Sequence, residues 1–252
     1  MLRESDIIPY HCSTPVGEKI LVLAPHPDDE ALGCGGTISL LVKAGKPVKI
    51  VFLTSGDKGD ESHPMSAVTH GEKHITDYSL MREKEAERAL GILDVSDYEF
   101  LRLPDRELHT HRENALDRLL DIASSYAPDA LYSPSPIEVN PDHRTTAALS
   151  LGIQKRKKAA GFQLSLLFYE VTVPLRPNIL VDISPVQIRK RRAVKKYKSQ
   201  LKQKDYLGII TALNRFRSLT LDKVSDVEAF WFLKEPVDDD EMAQWLSYRT
   251  VW

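Results

Sequence analysis

Cysteine is nearly missing from this chain: Cys12 and Cys34 are the only two in 252 residues. Two are too few for a disulfide framework or a thiolate zinc site, and they suit a reducing compartment. Charge of one sign is missing as well. The 34 basic residues nearly cancel the 36 acidic ones, so no global field draws the molecule to nucleic acid, a polyanion or a membrane surface. No apolar run approaches the roughly 20 residues of a membrane span, and the leader MLRESDIIPYHC has no apolar core of signal-peptide length. A cytoplasmic protein with neither membrane nor nucleic-acid partner is the expectation. Internal repeats and low-complexity linkers are absent too, and 42% apolar content is enough for one full core, so residues 1–252 read as a single domain.

What is present is an alternation of buried-strand and helix patterns. KILVLAP is a short continuous apolar run, as in a strand buried on both faces, and EALGCGGTISLLVKAGK has helical spacing ending at Gly45. VKIVFLT repeats the strand pattern, which predicts a parallel pair joined by a right-handed crossover. Ser55 to Asp77, rich in Gly, Ser, His and charge, reads as a long mobile loop. SLMREKEAERALGIL predicts a helix whose Arg82, Glu83, Glu85 and Arg88 mostly face water. YEFLRLPD, DALYSPSP, FQLSLLFYEVTV and NILVDIS predict strands, and HRENALDRLLDIASSY and PDHRTTAALSLGIQKRKK predict helices. VQIRKRRAVKKYKSQ opens a largely helical carboxyl-terminal third. The fold class is therefore α/β: a Rossmann-like, mostly parallel sheet with helices on both faces, three layers in all, and a helical C-terminal region.

Two stretches carry concentrated chemistry. PHPDDE places His26, Asp28, Asp29 and Glu30 directly after one predicted buried strand, and NPDH places Asn140, Asp142 and His143 directly after another. Strands of an open α/β sheet end at the ligand-binding edge, so the two stretches are expected to converge there. Three carboxylates this close repel one another unless a cation compensates them, and a helix dipole worth about 0.3–1 kcal/mol per charge cannot do so alone. With His26 and Asp29 as ligands, His143 is the best-placed third. Two His and one carboxylate leave a coordination position open for water, as in hydrolytic zinc sites. Asp28, beside a ligand, is suited to act as general base, with a neighbouring donor stabilising the oxyanion formed from an amide carbonyl. The competing interpretation is plain helix capping, with Asp28 or Asp29 accepting backbone N–H bonds.

In order and spacing, PHPDDEALGCGGTI, VFLTSGDKG, REKEAERALGIL, FLRLPDREL, NPDHRTT and VDISPVQIRKRRAVKKYKSQ resemble the LmbE/PIG-L-type N-acetylglucosaminyl deacetylases. The match runs from about Lys19 to Gln200, leaving 201–252 as a mostly helical extension. The resemblance implies a Rossmann-like sheet and zinc-dependent removal of acetyl from an N-acetylated amino sugar or its conjugate. It places the metal ligands at His26, Asp29 and His143, the general base at Asp28, and substrate-binding residues at Arg82 and Asp105. Asn140 and Asp142 join Asp28 as candidate catalytic residues. Many members have His where this chain has Asn140, and Asn donates a hydrogen bond but delivers no proton at neutral pH. Either Asp28 returns the proton to the amine or another group serves, the loop residues His63, His70 and His74 among them. Zinc is the expected metal, with ferrous iron an alternative for such a ligand set.

Other features have simpler readings. GCGG lacks the GxGxxG spacing of a dinucleotide loop, so Gly33, Gly35 and Gly36 are expected to let a helix approach the sheet, with Cys34 as a small buried residue among them. RKRRAVKKYK, residues 189–198, is the strongest case for nucleic-acid binding, but Tyr197 is its lone aromatic and a structural or substrate-facing helix explains it better. Trp231, Trp245 and Trp252 in the tail are expected to close a core or a subunit contact, so a homo-oligomer is possible. A catalytically retired relative that binds metal or sugar without turnover stays open because of Asn140.

Overall fold

The computed structural model describes residues 9–59, 68–70 and 73–238. Its main sheet has seven strands in the order β5-β2-β1-β6-β7-β9-β8. These are β1 (Ile20–Ala24), β2 (Val48–Thr54), β5 (Asp97–Leu103), β6 (Ala130–Pro134), β7 (Ser165–Tyr169), β8 (Ile179–Asp182) and β9 (Val227–Leu233). The first five of the order are mutually parallel, and β9 runs antiparallel to both its neighbours. All five residues of β1 are fully buried because each face meets its own core: Ile20, Val22 and Ala24 on one side, Leu21 and Leu23 on the other. Helices α1 (Asp29–Lys43), α2 (Asp77–Leu93), α5 (Gln187–Val194) and α7 (Tyr206–Phe216) supply the first core. Helices α3 (Arg112–Tyr126) and α4 (Pro141–Ala159) supply the second, and α6 (Lys198–Gln203) follows α5. This is the expected three-layer α/β class. No helix among the described residues is long and apolar enough to cross a membrane.

Helix α1 shows why glycine sits where it does. A Cβ on Gly33 would lie 2.2 Å from the ring of Tyr169, and one on Gly36 would lie 2.6 Å from Ile183. The helix breaks at Cys34 (φ −138°, ψ 21°), and the amides of Gly36 and Thr37 donate to the carboxylate of Glu228 on β9, both at 2.7 Å. That carboxylate also takes Lys190 Nζ at 2.7 Å in a fully buried pair. The start of the basic run is thus engaged within the fold: Arg191 also meets Asp226 at 2.8 Å, and Arg189 meets Asp94 at 2.7 Å at the surface.

Three expectations need correction. Arg82, Glu83 and Glu85 of α2 are buried rather than solvated, because each has a partner distant in sequence. Glu83 takes Arg102 through two hydrogen bonds, and Glu85 accepts from the amide and hydroxyl of Ser199. Part of the long loop after β2 is a hairpin of β3 (Val68–His70) and β4 (Lys73–Ile75). The apolar stretch around Trp231 is a strand, β9, inserted between β7 and β8, so among the described residues the C-terminal region mixes three helices with one strand. Trp245, Trp252 and His63, and the side chains of His70 and His74, lie outside the described residues.

Candidate active site

The strand order puts a switch point between β1 and β6. From β1 the chain proceeds outward to β2, whereas β6 lies on its other side and leads toward β7. A crevice opens where neighbouring parallel strands end and their connections diverge. PHPDDE leaves β1 into α1 there, and the segment through NPDH leaves β6 into α4.

His26, Asp29 and His143, all buried, meet in this crevice. His26 Nδ1 lies 3.1 Å from Asp29 Oδ2, His143 Nε2 lies 3.2 Å from the same oxygen, and the two nitrogens are 3.3 Å apart. Ligands about 2.0–2.1 Å from a tetrahedral zinc are separated by roughly 3.3 Å, so three N and O donors spaced this way fit such an ion. The outer imidazole nitrogens agree with that fit. His26 Nε2 faces Asp105 Oδ1 at 3.1 Å and Asp142 Oδ2 at 3.3 Å, and His143 Nδ1 faces Glu138 Oε2 at 3.6 Å. An N–H directed at these carboxylates leaves each inner nitrogen with its lone pair on the triangle. Burial alone would depress both histidines, but Asp105 raises His26 well above its ordinary range and Asp29 lifts His143 to about 9. Asp29 is driven well below the carboxylate range, chiefly by His143 against the opposing effect of burial. Protons therefore compete with a cation for this site.

Asp28 lies beside the triangle in an unusual backbone conformation, φ 140° and ψ −27°. Such a conformation costs on the order of 1–3 kcal/mol in a non-glycine residue. Its side chain makes no cap for α1; it pairs instead with Arg82 Nη2 at 3.1 Å. Arg82 also donates to the carbonyls of Pro27 and Gly56, and the Asp28 amide donates to Glu30 Oε2 at 3.2 Å. Glu30 in turn accepts from Tyr197 of the C-terminal region. Burial pushes the Asp28 carboxyl up to about 7, although Arg82 pulls the other way.

Around these groups a cavity is lined by Lys58, Asp105, Arg106, Asn140, Thr172, Gln200 and Tyr206 besides His26, Asp28, Asp29, Arg82 and His143. Asn140 is the N-cap of α4: its Oδ1 accepts from the Asp142 amide at 2.8 Å, leaving the Nδ2 group to donate. Asp142 is completely buried, its oxygens held by the amides of Arg106 and Leu108 at 2.7 and 3.1 Å and facing His26 Nε2. A second group of possible donors, His26 with Asp105 and Asp142, forms around that nitrogen. Asp105 also accepts the Lys58 amide at 2.8 Å. Glu138 and Tyr206 carry no sequence signal of their own, except that Glu138 stands five residues before His143 in the same strand-to-helix connection; Lys58 lies in the VFLTSGDKG motif, which does not single it out.

The family model for PIG-L, described as GlcNAc-PI de-N-acetylase, matches residues 21–153. The chain belongs to the PIG-L family. One relative, the diacetylchitobiose deacetylase of Thermococcus kodakarensis, is 32% identical over 73% of this chain and 70% of its own length. Another, a probable N-acetyl-alpha-D-glucosaminyl L-malate deacetylase 2 of Bacillus subtilis, is 26% identical over 86% of this chain and 95% of its own. Among solved structures, an N,N'-diacetylchitobiose deacetylase from Pyrococcus horikoshii superposes with a TM-score of 0.72 at 24% identity, covering 91% of this chain and 90% of that one. At that identity the superposition speaks to the fold alone.

Proposed function

We propose that this chain is a metal-dependent hydrolase that removes the N-acetyl group from an N-acetylglucosamine-type sugar or its conjugate. The observation that carries this is the triangle of His26, Asp29 and His143 with Asp28 beside it, and the deacetylase relatives support the substrate class. Those three residues would hold the cation, zinc by the donor set and ferrous iron as the alternative. When bound, such an ion polarises the amide carbonyl and makes water acidic enough to lose a proton near neutral pH. Asp28 takes that proton and returns it to the departing amine, since Asn140 has none to give. Arg82 fixes the orientation of Asp28, and Asn140 Nδ2 donates to the carbonyl oxygen as it becomes an oxyanion. Asp105 and Asp142 hold His26, so Asp142 acts by positioning rather than by proton transfer. Thr172, Gln200, Lys58 and Arg106 supply hydrogen-bonding groups around the sugar. We place the reaction in the cytoplasm, with a small sugar conjugate rather than nucleic acid or membrane as partner, and with self-association open to measurement.

The test is acetate release from N-acetylglucosamine and diacetylchitobiose, alongside metal content. About one divalent ion per chain is expected, with acetate release abolished by chelator and restored by zinc. A chain that holds its metal but releases no acetate from any glucosamine conjugate would be a binding relative without turnover, and one that holds no metal would defeat the proposal entirely.

A further inference from the structure

Glu138 sits in the connection between β6 and α4 with its carboxylate wholly shielded from solvent. Oε1 accepts from the amides of Val171, Thr172 and Val173 at 2.8, 3.1 and 3.3 Å, and Oε2 accepts from the Thr172 amide at 3.1 Å and from its hydroxyl. Bonds of this kind by themselves describe a staple for the loop after β7. Two further facts go beyond a staple. The carboxylate faces His143 Nδ1 at 3.6 Å, and that nitrogen is buried with no hydrogen-bond partner among the described residues. Leaving a buried N–H unpaired costs about 1–3 kcal/mol, and a shift of about half an ångström would complete the bond. Moreover, Val171 and Thr172, the residues it fastens, line the cavity.

The two imidazoles of the triangle are thus backed differently. His26 is held by Asp105 and Asp142, which lie just after β5 and on α4. His143 is backed by a single carboxylate that also secures the opposite wall. We propose that Glu138 is a positioning residue: it orients His143 for metal ligation and, through the same carboxylate, sets the 171–173 segment of the sugar-binding wall. This rests on the metal centre proposed above. An acceptor on the outer nitrogen fixes the tautomer and strengthens the inner nitrogen as a ligand, and losing such a partner typically weakens metal binding about 10–100-fold.

The decisive measurement is zinc affinity by chelator competition, made without sugar, on the full chain and its variants. Glu138→Gln keeps size and one acceptor oxygen but removes the charge, and is expected to weaken zinc binding about 10–100-fold. Thr172→Val removes one bond to the wall and none to His143; its zinc affinity is expected to match the parent while KM for the acetylated sugar rises. Wild-type zinc affinity in Glu138→Gln would overturn the proposal. So would an equal loss in Thr172→Val, because the carboxylate would then act only through the loop. Should the Gln variant fail to fold, Glu138→Asp keeps the charge but draws it back by one methylene; weakened zinc binding there supports the assignment and unchanged binding refutes it. A parent chain that bound no zinc would defeat the metal centre itself, whereas a zinc-binding parent with an unaltered Gln variant defeats Glu138 alone.

Discussion

The turns entering α1 and α4 have nearly the same ingredients, Pro with Asp and His after a buried strand, yet they are built on opposite principles. At α4, Asn140 adopts extended backbone, caps the Asp142 amide with its side chain, and is followed by proline in the first turn. Every local preference for starting a helix is met. At α1, Asp28 holds a positive φ, caps nothing with its carboxylate, and is kept in place by Arg82, Glu30 and, through Glu30, Tyr197. A conformation that local preferences oppose, supported by Arg82 of α2 and, through Glu30, by Tyr197 after α5, points to a side chain placed for chemistry rather than for starting a helix. On the proposed function, the one turn would supply a ligand, His143, on a relaxed helix end, and the other would supply His26, Asp29 and the base Asp28 at the cost of strain.

The largest effect should come from neutralising the strained turn. Asp28→Asn preserves shape and leaves Arg82 its two carbonyl partners, so the triangle should keep its zinc while kcat for acetate release falls about 10²–10⁴-fold. Zinc stoichiometry and kcat measured on one preparation check this. A variant with normal turnover would reduce Asp28 to a counter-ion for Arg82 and erase the functional difference between the turns.

Next comes the packing of the helices that follow. Helix α1 must lie close to the sheet to bring its first turn over β1, and Gly33 allows it: an added methyl would collide with the Tyr169 ring at 2.2 Å. Tyr169 cannot easily give way, since it is fully buried and donates to the Leu23 carbonyl at 2.7 Å. Gly33→Ala is therefore expected to destabilise the fold by about 1–3 kcal/mol, read as a Tm lower by several degrees. An unchanged Tm would mean that α1 does not press on the Tyr169 ring.

How much of this was legible in the chain depends on where each residue's partners lie. The strands, their parallel core and the meeting of His26, Asp29 and His143 followed from local pattern, because a continuous apolar run and the charged turn after it are neighbours in sequence. Arg82, Glu83 and Glu85 looked solvated because helical spacing alone cannot show that Asp28, Arg102 and Ser199 come from elsewhere to meet them. Asp142 reads as a catalytic candidate in the sequence, which could not show that the amides of Arg106 and Leu108, from the segment before α3, hold its oxygens. Glu138 gave no signal because every group it serves, apart from His143, arrives after another helix and strand. VEAFWFL has a strand's composition, but its place between β7 and β8 depends on antiparallel pairing that no local pattern encodes.

At the relaxed turn, effects should be smaller and fall on stability. Asn140→Ala removes the cap of α4 and is expected to cost about 0.5–2 kcal/mol, with a drop in kcat from loss of the Nδ2 donor that is shallower than that of Asp28→Asn. Thermal melts and steady-state kinetics separate the two; a rate loss as deep as that of Asp28→Asn would make Asn140 central to the chemistry and close the gap between the turns.

The smallest effect carries the opposite sign. Gly152 lies inside α4, where an added Cβ would find only Leu116 Cδ1, at an ordinary 3.9 Å. Glycine there merely leaves the unfolded chain freer, so Gly152→Ala should stabilise the fold by about 0.5–1 kcal/mol. The Tm should rise by a degree or more, with zinc binding and turnover unchanged, while the same substitution at Gly33 lowers it. If both alanines destabilised alike, close approach would not distinguish α1 from α4, and the strain at Asp28 would have to be explained without a helix pressed against the sheet.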